Sequence, residues 1–288
     1  MISLRGLRRK VKTIRSIQQI TRAMKMVSSI RLKHARDRIA VAQPYSIRMK
    51  ELLGELLVRS REQSGSSGLP VHPLMAPGAE KGKKMLVVIT SDRGLCGGYN
   101  SSITRKAMEV IRRNPGMLVI TIGKKGRDTL FHRRFSLLKT YNNVLPGITY
   151  EKASSIAQEL IDIYLREKPE ELSVLHAQFK SVIAQPVVRE RVLPLSEKSL
   201  PLPEKRTDFL FEPAEDRLML SLVPYFVRTE FYRIFTDSLT AEHAARMTAM
   251  EAATKNADGV IETLTRRINR VRQERITQEL SELVAGTL

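Results

Sequence analysis

The chain has no tryptophan, a single cysteine in 288 residues and only 5% aromatic residues. An interior built around large rings is therefore excluded, and aliphatic packing between helices and strands must do most of the work. Cys96 cannot form an intrachain disulfide and suits a reducing compartment. No run of eighteen apolar residues occurs, so the sequence predicts no membrane-spanning helix. Two long stretches lack helix breakers: residues 7–43 hold neither glycine nor proline, and residues 225–285 hold no proline and only Gly259. Nothing in the second stretch need stop an α-helix, which at about 1.5 Å per residue would run roughly 90 Å. Acidic residues are missing from the start. Arg5, Arg8, Arg9, Lys10, Lys12, Arg15, Arg22, Lys25, Arg31, Lys33 and Arg36 all precede Asp37.

What is present is 42% hydrophobic residues, enough for an ordinary core, and a net charge of +19 with a pI near 10.3. Such a charge implies an acidic partner, an anionic membrane surface or nucleic acid. In the C-terminal stretch Met247, Met250, Thr254, Ala257, Ile261, Leu264, Ile268 and Val271 follow one another by alternating steps of three and four. That is the seam of a left-handed coiled coil, and it needs a second helix. The N-terminal stretch supplies one. Its apolar residues Leu4, Leu7, Val11, Ile14, Ile17, Ile20, Met24, Val27 and Ile30 are spaced mostly by three, so the stripe drifts around the axis. Part of this helix is therefore expected to face something other than the C-terminal helix. Its basic face admits three readings: a mitochondrial presequence, a solvated surface, or a surface meeting acidic protein or nucleic acid. No aromatic is interleaved with the basic residues before Tyr45, which weighs against nucleic acid.

Pro44 should kink or interrupt the first helix, although 45–61 remains helix-compatible. Residues 64–84 mix Gly65, Gly68, Pro70, Pro73, Pro77, Gly78 and Gly82 and read as a flexible linker. Beyond it the period changes. Strand-like 85–90, 117–122, 136–141, 172–179 and 187–193 alternate with helix-compatible 101–113, 124–131 and 150–167, which argues for a small α/β domain with a largely parallel sheet. Pro194, Pro201, Pro203 and Pro213 mark its exit, with 209–213 as a short edge strand. The turn Ser91-Asp92-Arg93-Gly94-Leu95-Cys96-Gly97-Gly98-Tyr99-Asn100 invites a phosphate-binding reading. Its glycines match neither the dinucleotide fingerprint nor the phosphate loop, so a structural strand-to-helix turn is expected. Cys96 has no histidine at catalytic spacing and reads as a small buried residue, and no metal-ligand cluster is evident.

The expected fold is thus mixed α+β and α/β. A long antiparallel two-helix coiled coil is made from the N- and C-terminal helices, with an inserted small Rossmann-like α/β domain of about five strands. The divisions are an N-terminal coiled-coil helix at 1–61, a linker at 62–83, an α/β foot domain at 84–195, a linker at 196–213 and a C-terminal coiled-coil helix at 214–288.

Four separated motifs carry a family resemblance. They are Ile20-Thr21-Arg22-Ala23-Met24-Lys25-Met26-Val27, the Ser91 to Asn100 turn, Phe211-Glu212-Pro213, and a C-terminal set. That last set runs through Ala245-Arg246-Met247, Ala249-Met250, Ala253-Thr254, Asn256, Asn269-Arg270-Val271-Arg272-Gln273 and Ile276-Thr277-Gln278-Glu279-Leu280. Over nearly its whole length the chain resembles the γ subunit of F-type ATP synthases.

The resemblance implies a rotor shaft without catalytic residues, cofactor or metal of its own, the catalytic sites lying on partner subunits. Those partners would be three alpha and three beta subunits around the shaft, with an epsilon subunit and a membrane c-ring at the foot. Proton flow would turn ring and foot together to drive ATP synthesis, peripherally on the cytoplasmic face of a bacterial cell membrane. It further implies that the basic helix opens the mature chain, and that thiol regulation by paired cysteines is not expected. Arg272, Gln273 and Thr277 would meet a beta-subunit loop. Met24, Lys25 and Arg246 would make rotor–stator or intra-rotor contacts, and Ile276, Leu280, Leu283 and Val284 would form an apolar tip in a bearing. Phe209 and Phe211 would lie at the foot towards epsilon and the c-ring. Without the resemblance, the residues would also allow a basic coiled-coil nucleic-acid-binding or scaffold protein, marked by steeply salt-dependent binding.

Overall fold

A computed structural model describes residues 4–64, 72–76, 82–195, 200 and 215–286, excluding the side chains at 42, 43, 59–64, 215, 216 and 284–286. Two long helices, α1 (Leu4–Ser64) and α5 (Glu215–Gly286), flank a small α/β unit. Each passes through a proline, Pro44 and Pro224. An internal proline removes one backbone hydrogen bond and crowds the preceding turn. Here the neighbouring turns are pinned by burial, of Ser46, Met49, Leu53 and Leu56 after Pro44 and of Val223, Phe226 and Val227 around Pro224. Packing outweighs the lost bond, so α1 is not interrupted at Pro44.

The α/β unit contains β1 (Met85–Ile89), α2 (Tyr99–Arg113), β2 (Leu118–Ile122), α3 (Lys124–His132), β3 (Lys139–Tyr141), α4 (Tyr150–Glu167), β4 (Leu172–Ala177) and β5 (Val187–Leu193). Its five-stranded sheet has the order β3-β2-β1-β4-β5, parallel except for the antiparallel edge strand β5. Continuous apolar strands suit a sheet covered on both faces, and β1 shows why. Leu86 and Val88 join Ile103 and Ala107 of α2 on one face, while Met85, Val87 and Ile89 meet Ala157 and Leu160 of α4 on the other. Thr149 caps α4 by accepting the Lys152 N–H at 3.4 Å, and Lys168 ends it in the left-handed conformation.

The core does not stop at the edges of the α/β unit. Met49, Leu53 and Leu56 of α1 and Phe226, Phe231, Ile234 and Phe235 of α5 belong to the same buried cluster as β1, β2 and α4. The lower third of each rod is therefore part of the head. Leu74, which the sequence placed in a flexible linker, is fully buried in that cluster, and its carbonyl accepts the Leu195 N–H at 2.9 Å. Leu200, from the second expected linker, is buried in the same cluster and Met75 packs against it, while 65–71, 77–81, 196–199 and 201–214, with the edge strand at 209–213, lie outside the described residues.

Above the head the two helices pair. All eight seam residues of α5, from Met247 to Val271, are buried or half-buried, while most residues between them are exposed. On α1 the covered positions are Leu7, Val11, Ile14, Gln18, Thr21, Lys25, Ser28, Leu32, Ala35 and Ile39, again in steps of four and three, with Met24 alongside. The seam shares Leu7, Val11 and Ile14 with the apolar stripe read from the sequence and falls one residue out of step with it from Ile17 to Val27. Ile17, Ile20, Val27 and Ile30 are left 45–59% exposed. In the middle of the rod the helices meet through polar groups: the Gln18 amide on Asp258, the Thr21 and Thr254 hydroxyls at 2.8 Å, and Lys25 on Glu251.

Candidate functional site: the grip, the rod and the tip

The turn after β1 closes on itself. The Ser91 N–H donates to Asn100 Oδ1 at 3.0 Å, and Asn100 Nδ2 donates to Ser91 Oγ at 2.7 Å. Cys96 is 2% exposed, with its Sγ 3.1 Å from Asn100 Nδ2, a packed side chain rather than a presented nucleophile. One Asp92 oxygen accepts N–H groups from Lys124 at 3.0 Å and Asn143 at 2.9 Å, tying the turn to the start of α3 and to the loop after β3. The opposite side of the turn faces α5. Arg246, itself buried, donates to the Gly94 and Arg93 carbonyls at 3.4 Å and pairs with Glu242 at 2.7 Å. Burial pushes the Glu242 carboxyl up, partly offset by Arg246. Beyond the glycine-rich turn lies a helix of the same chain, with a cleft lined by Gly97, Gly98, Val182, Gln185, Thr248 and Ala252 left between the turn, the β4–β5 loop and α5.

A second charged cluster joins four elements and was not anticipated from the sequence. Arg233 of α5 bridges Glu190 of β5 and Glu230 of α5, and Glu230 also receives Lys50 and Ser46 from α1. Fully buried His176 of β4 meets Glu190 at 3.0 Å through Nε2. Burial alone would raise the Glu190 carboxyl, but the His176 hydrogen bond and the Arg233 charge hold it down to about 2. Removing one partner of such a set leaves a buried charge, which costs about 3–5 kcal/mol. The sequence signal was the set of charged residues Arg228, Glu230, Arg233, Asp237, Glu242 and Arg246 on the aromatic- and aliphatic-rich stretch from 218 to 246.

Beyond Val271 every described side chain is exposed through Leu283, so α5 continues as a single helix. Arg272, Gln273 and Thr277 lie on it, the Thr277 hydroxyl donating to the Gln273 carbonyl at 3.0 Å. Ile276, Leu280 and Leu283 form one exposed apolar stripe, spaced by four and three. The Val284 side chain, Phe209 and Phe211 lie outside the described residues. Met24 is half-buried at the α1 seam and Lys25 pairs with Glu251 of α5. Arg246 is separated from Arg272 by about 40 Å of helix, so these residues are strung along a rod and do not converge on one pocket. Among the described residues no group of three or more His, Cys, Asp or Glu could hold a metal ion, and no helix is long and apolar enough to cross a membrane.

Comparison with known proteins agrees with this geometry. A family model described as ATP synthase matches residues 3–287. The ATP synthase gamma chain of Anaeromyxobacter sp. (strain K) is 37% identical over 99% of this chain and 98% of its own length. The gamma chain of Pelotomaculum thermopropionicum is 38% identical with the same coverage. The chain belongs to the ATP synthase gamma chain family. Among solved structures, a chain of the Euglena gracilis mitochondrial ATP synthase rotor superposes with a TM-score of 0.68 at 19% identity, covering 95% of this chain and 98% of that one. A chain of the Tetrahymena thermophila mitochondrial central stalk and c-ring gives 0.62 at 24% identity, covering 81% and 99%. The gamma-chain fold of a head carried on a paired-helix rod is thus the one seen here. Family membership leaves the nucleic-acid or scaffold alternative without support.

Proposed function

We propose that this chain is the central-stalk rotor subunit of an F-type ATP synthase, transmitting rotation between a membrane c-ring and a hexamer of three alpha and three beta subunits. The observation that carries the proposal is a rod with two different ends. A 72-residue helix spans about 108 Å, is embedded in a head at one end, is paired through the middle, and is bare at the tip. Paired helices with a continuous seam resist bending and twisting better than one, which is what a torque-bearing shaft requires. The chain itself is non-catalytic. Bond making belongs to sites on the surrounding subunits, and the rotor acts on them by changing their shape as it turns. The head stands with the epsilon subunit against the c-ring, on the cytoplasmic face of a bacterial membrane, with Phe209 and Phe211 on that side.

In this reading Arg272, Gln273 and Thr277 engage a loop of a beta subunit near the top of the shaft, and Met24, Lys25 and Arg246 make rotor–stator or intra-rotor contacts. The stripe of Ile276, Leu280 and Leu283, with Val284, turns in an apolar bearing. Exposed charged contacts suit a rotor because each contributes only about 0–1 kcal/mol and can be exchanged at every step. The test is to assemble the complex with Arg272→Ala and Gln273→Ala together. Coupled ATP synthesis is expected to fall by about ten-fold, corresponding to about 1.4 kcal/mol of lost interaction. Unchanged synthesis removes these two residues from the role.

A further inference from the structure

The direction of chain winding reverses between β1 and β4. The chain leaves β1 through α2 towards β2, and returns from β3 through α4 to β4 on the other side of β1. In doubly wound sheets the crevice beyond the carboxyl ends of such a strand pair is where a ligand binds. Here α5 lies across it. The Phe179 N–H, just past β4, donates to Asp237 Oδ1 at 2.9 Å, and the Tyr99 hydroxyl, just past the β1 turn, donates to the Ser238 carbonyl at 3.1 Å. Ala241 is fully buried in the same cluster as Cys96, Tyr99 and Leu175, and Arg246 reaches the Gly94 carbonyl from the next turn up. On the far side the β4–β5 hairpin comes against the helix, the Val182 carbonyl standing 3.3 Å from the Thr248 hydroxyl, which also lies 3.0 Å from the Ala244 carbonyl of its own helix. Asp237 and Tyr99 are both more than nine-tenths buried.

Resting on the rotor reading, we propose that this crevice is a collar that passes torque and bending load between the α/β head and the shaft, with Asp237 and Tyr99 as positioning residues. The mechanics of a rod held at one end require such a part. Its bending moment is largest where it leaves the mount, and these contacts sit there, between the buried core around Phe226 to Phe235 and the free coiled coil from Met250 upward. Apolar contact resists separation but lets surfaces slide. Directional hydrogen bonds resist sliding, and a carboxylate on a backbone N–H is among the stronger ones. Donors from two strand ends and acceptors on successive residues of one helix oppose rotation of the head about α5 in either sense.

The test uses the complete complex, immobilised through its hexamer, with a bead attached to an exposed cysteine introduced at position 112 of the head. The variant Asp237→Ala with Tyr99→Phe removes both collar bonds. It is expected to keep ATP hydrolysis near the wild-type rate, to widen the variance of bead angle during dwells by about two-fold, and to lower gradient-driven synthesis relative to hydrolysis by about three-fold, as expected for two lost buried hydrogen bonds. Asp237→Asn with Tyr99 intact, which keeps the acceptor, should behave like the wild type. A disulfide staple across the same collar provides a rescue. A Cβ at Gly97 would stand 3.5 Å from the Ala249 Cβ, within the range of a disulfide, so Gly97→Cys with Ala249→Cys in a Cys96→Ala background can bridge it, at the cost of backbone strain because Gly97 has a φ of +57°. Oxidation should narrow the widened angle distribution. The same angular variance and the same synthesis-to-hydrolysis ratio in the double variant as in the wild type overturn the collar, as does a staple that leaves the variance wide. If the double variant does not assemble, Tyr99→Phe alone, which removes one hydroxyl, gives the same comparison. A wild-type bead that does not turn with ATP would instead sink the rotor reading itself.

Discussion

Thr90 shows how much one residue can determine. Its hydroxyl accepts the Gly126 N–H at 2.8 Å, and its carbonyl stands so near Gly123 that a Cβ there would lie 2.0 Å from it, at a φ of +100° that side chains rarely adopt. Gly123→Ala is therefore expected to destabilise the chain by about 3 kcal/mol, read as a lowered urea midpoint at unchanged slope. His243 makes a different prediction. Burial, together with the positive charges of Arg246 and Arg31, lowers its imidazole to about 4, and its Nδ1 has no hydrogen-bond partner among the described residues. Between about pH 6.5 and 4 the unfolded chain takes up a proton there that the folded chain does not, so stability falls as the solution is acidified. From pH 7 to 5 the wild type should lose about 2 kcal/mol more than His243→Gln, measured by urea unfolding at each pH. Equal losses would mean that the imidazole is not buried in its neutral form.

At the scale of elements, the two long helices divide their work by height. Their lower turns contribute Phe226, Phe231 and Leu53 to the head, their middle turns form a seam, and the last turns of α5 stand alone. The seam of α1 was only half legible. Leu7, Val11 and Ile14 were read correctly as covered, but the apolar stripe continued to Ile17 and Ile20 while the actual contact passed to Gln18 and Thr21. Hydropathy alone could not make that choice, because the polar seam residues are satisfied by Asp258 and Thr254, which lie more than 230 residues away in sequence. The seam and the stripe differ in measurable cost. Leu32→Ala, at a buried seam position, should destabilise by about 3 kcal/mol, whereas Ile20→Ala, 57% exposed, should change stability by less than about 0.5 kcal/mol. Comparable costs would mean that Ile20 is covered in solution. In the head the strands and helices were legible to within a few residues, since continuous apolar runs and the alternation of β with α depend on local sequence. The cluster of Glu190, His176, Arg233 and Glu230 was not, because its members come from β4, β5 and α5.

For the whole molecule, the largest share of the net charge of +19 lies on α1, where eleven basic residues precede the first acid, Asp37, on the rod that the hexamer would surround. Its attraction to acidic partner surfaces should weaken with salt, which screens exposed charges over about 10 Å at 0.1 M. The bare tip gives a sharper test. Truncation after Val271 removes only side chains that are exposed where they are described, so the unfolding free energy of the remaining chain should change by less than about 0.5 kcal/mol. A larger loss would show that the tip folds back onto the rod. Coupled synthesis by the assembled complex is expected to fall, since the apolar stripe and the Arg272, Gln273 and Thr277 face are removed together.

Local sequence by itself determined that there are two breaker-poor rods, one with a strict three-and-four seam, and that an α/β unit lies between them, because helix breakers, periodicity and apolar runs act over a few residues. Its motifs were specific enough to place the chain in its family. Only the tertiary structure decided that α5 lies across the crevice beyond β1 and β4, that polar pairs hold the middle of the rod, and that the feet of both helices complete the core of the head. Those outcomes depend on which distant groups satisfy a buried donor or charge, and that cannot be read until the chain has brought them together.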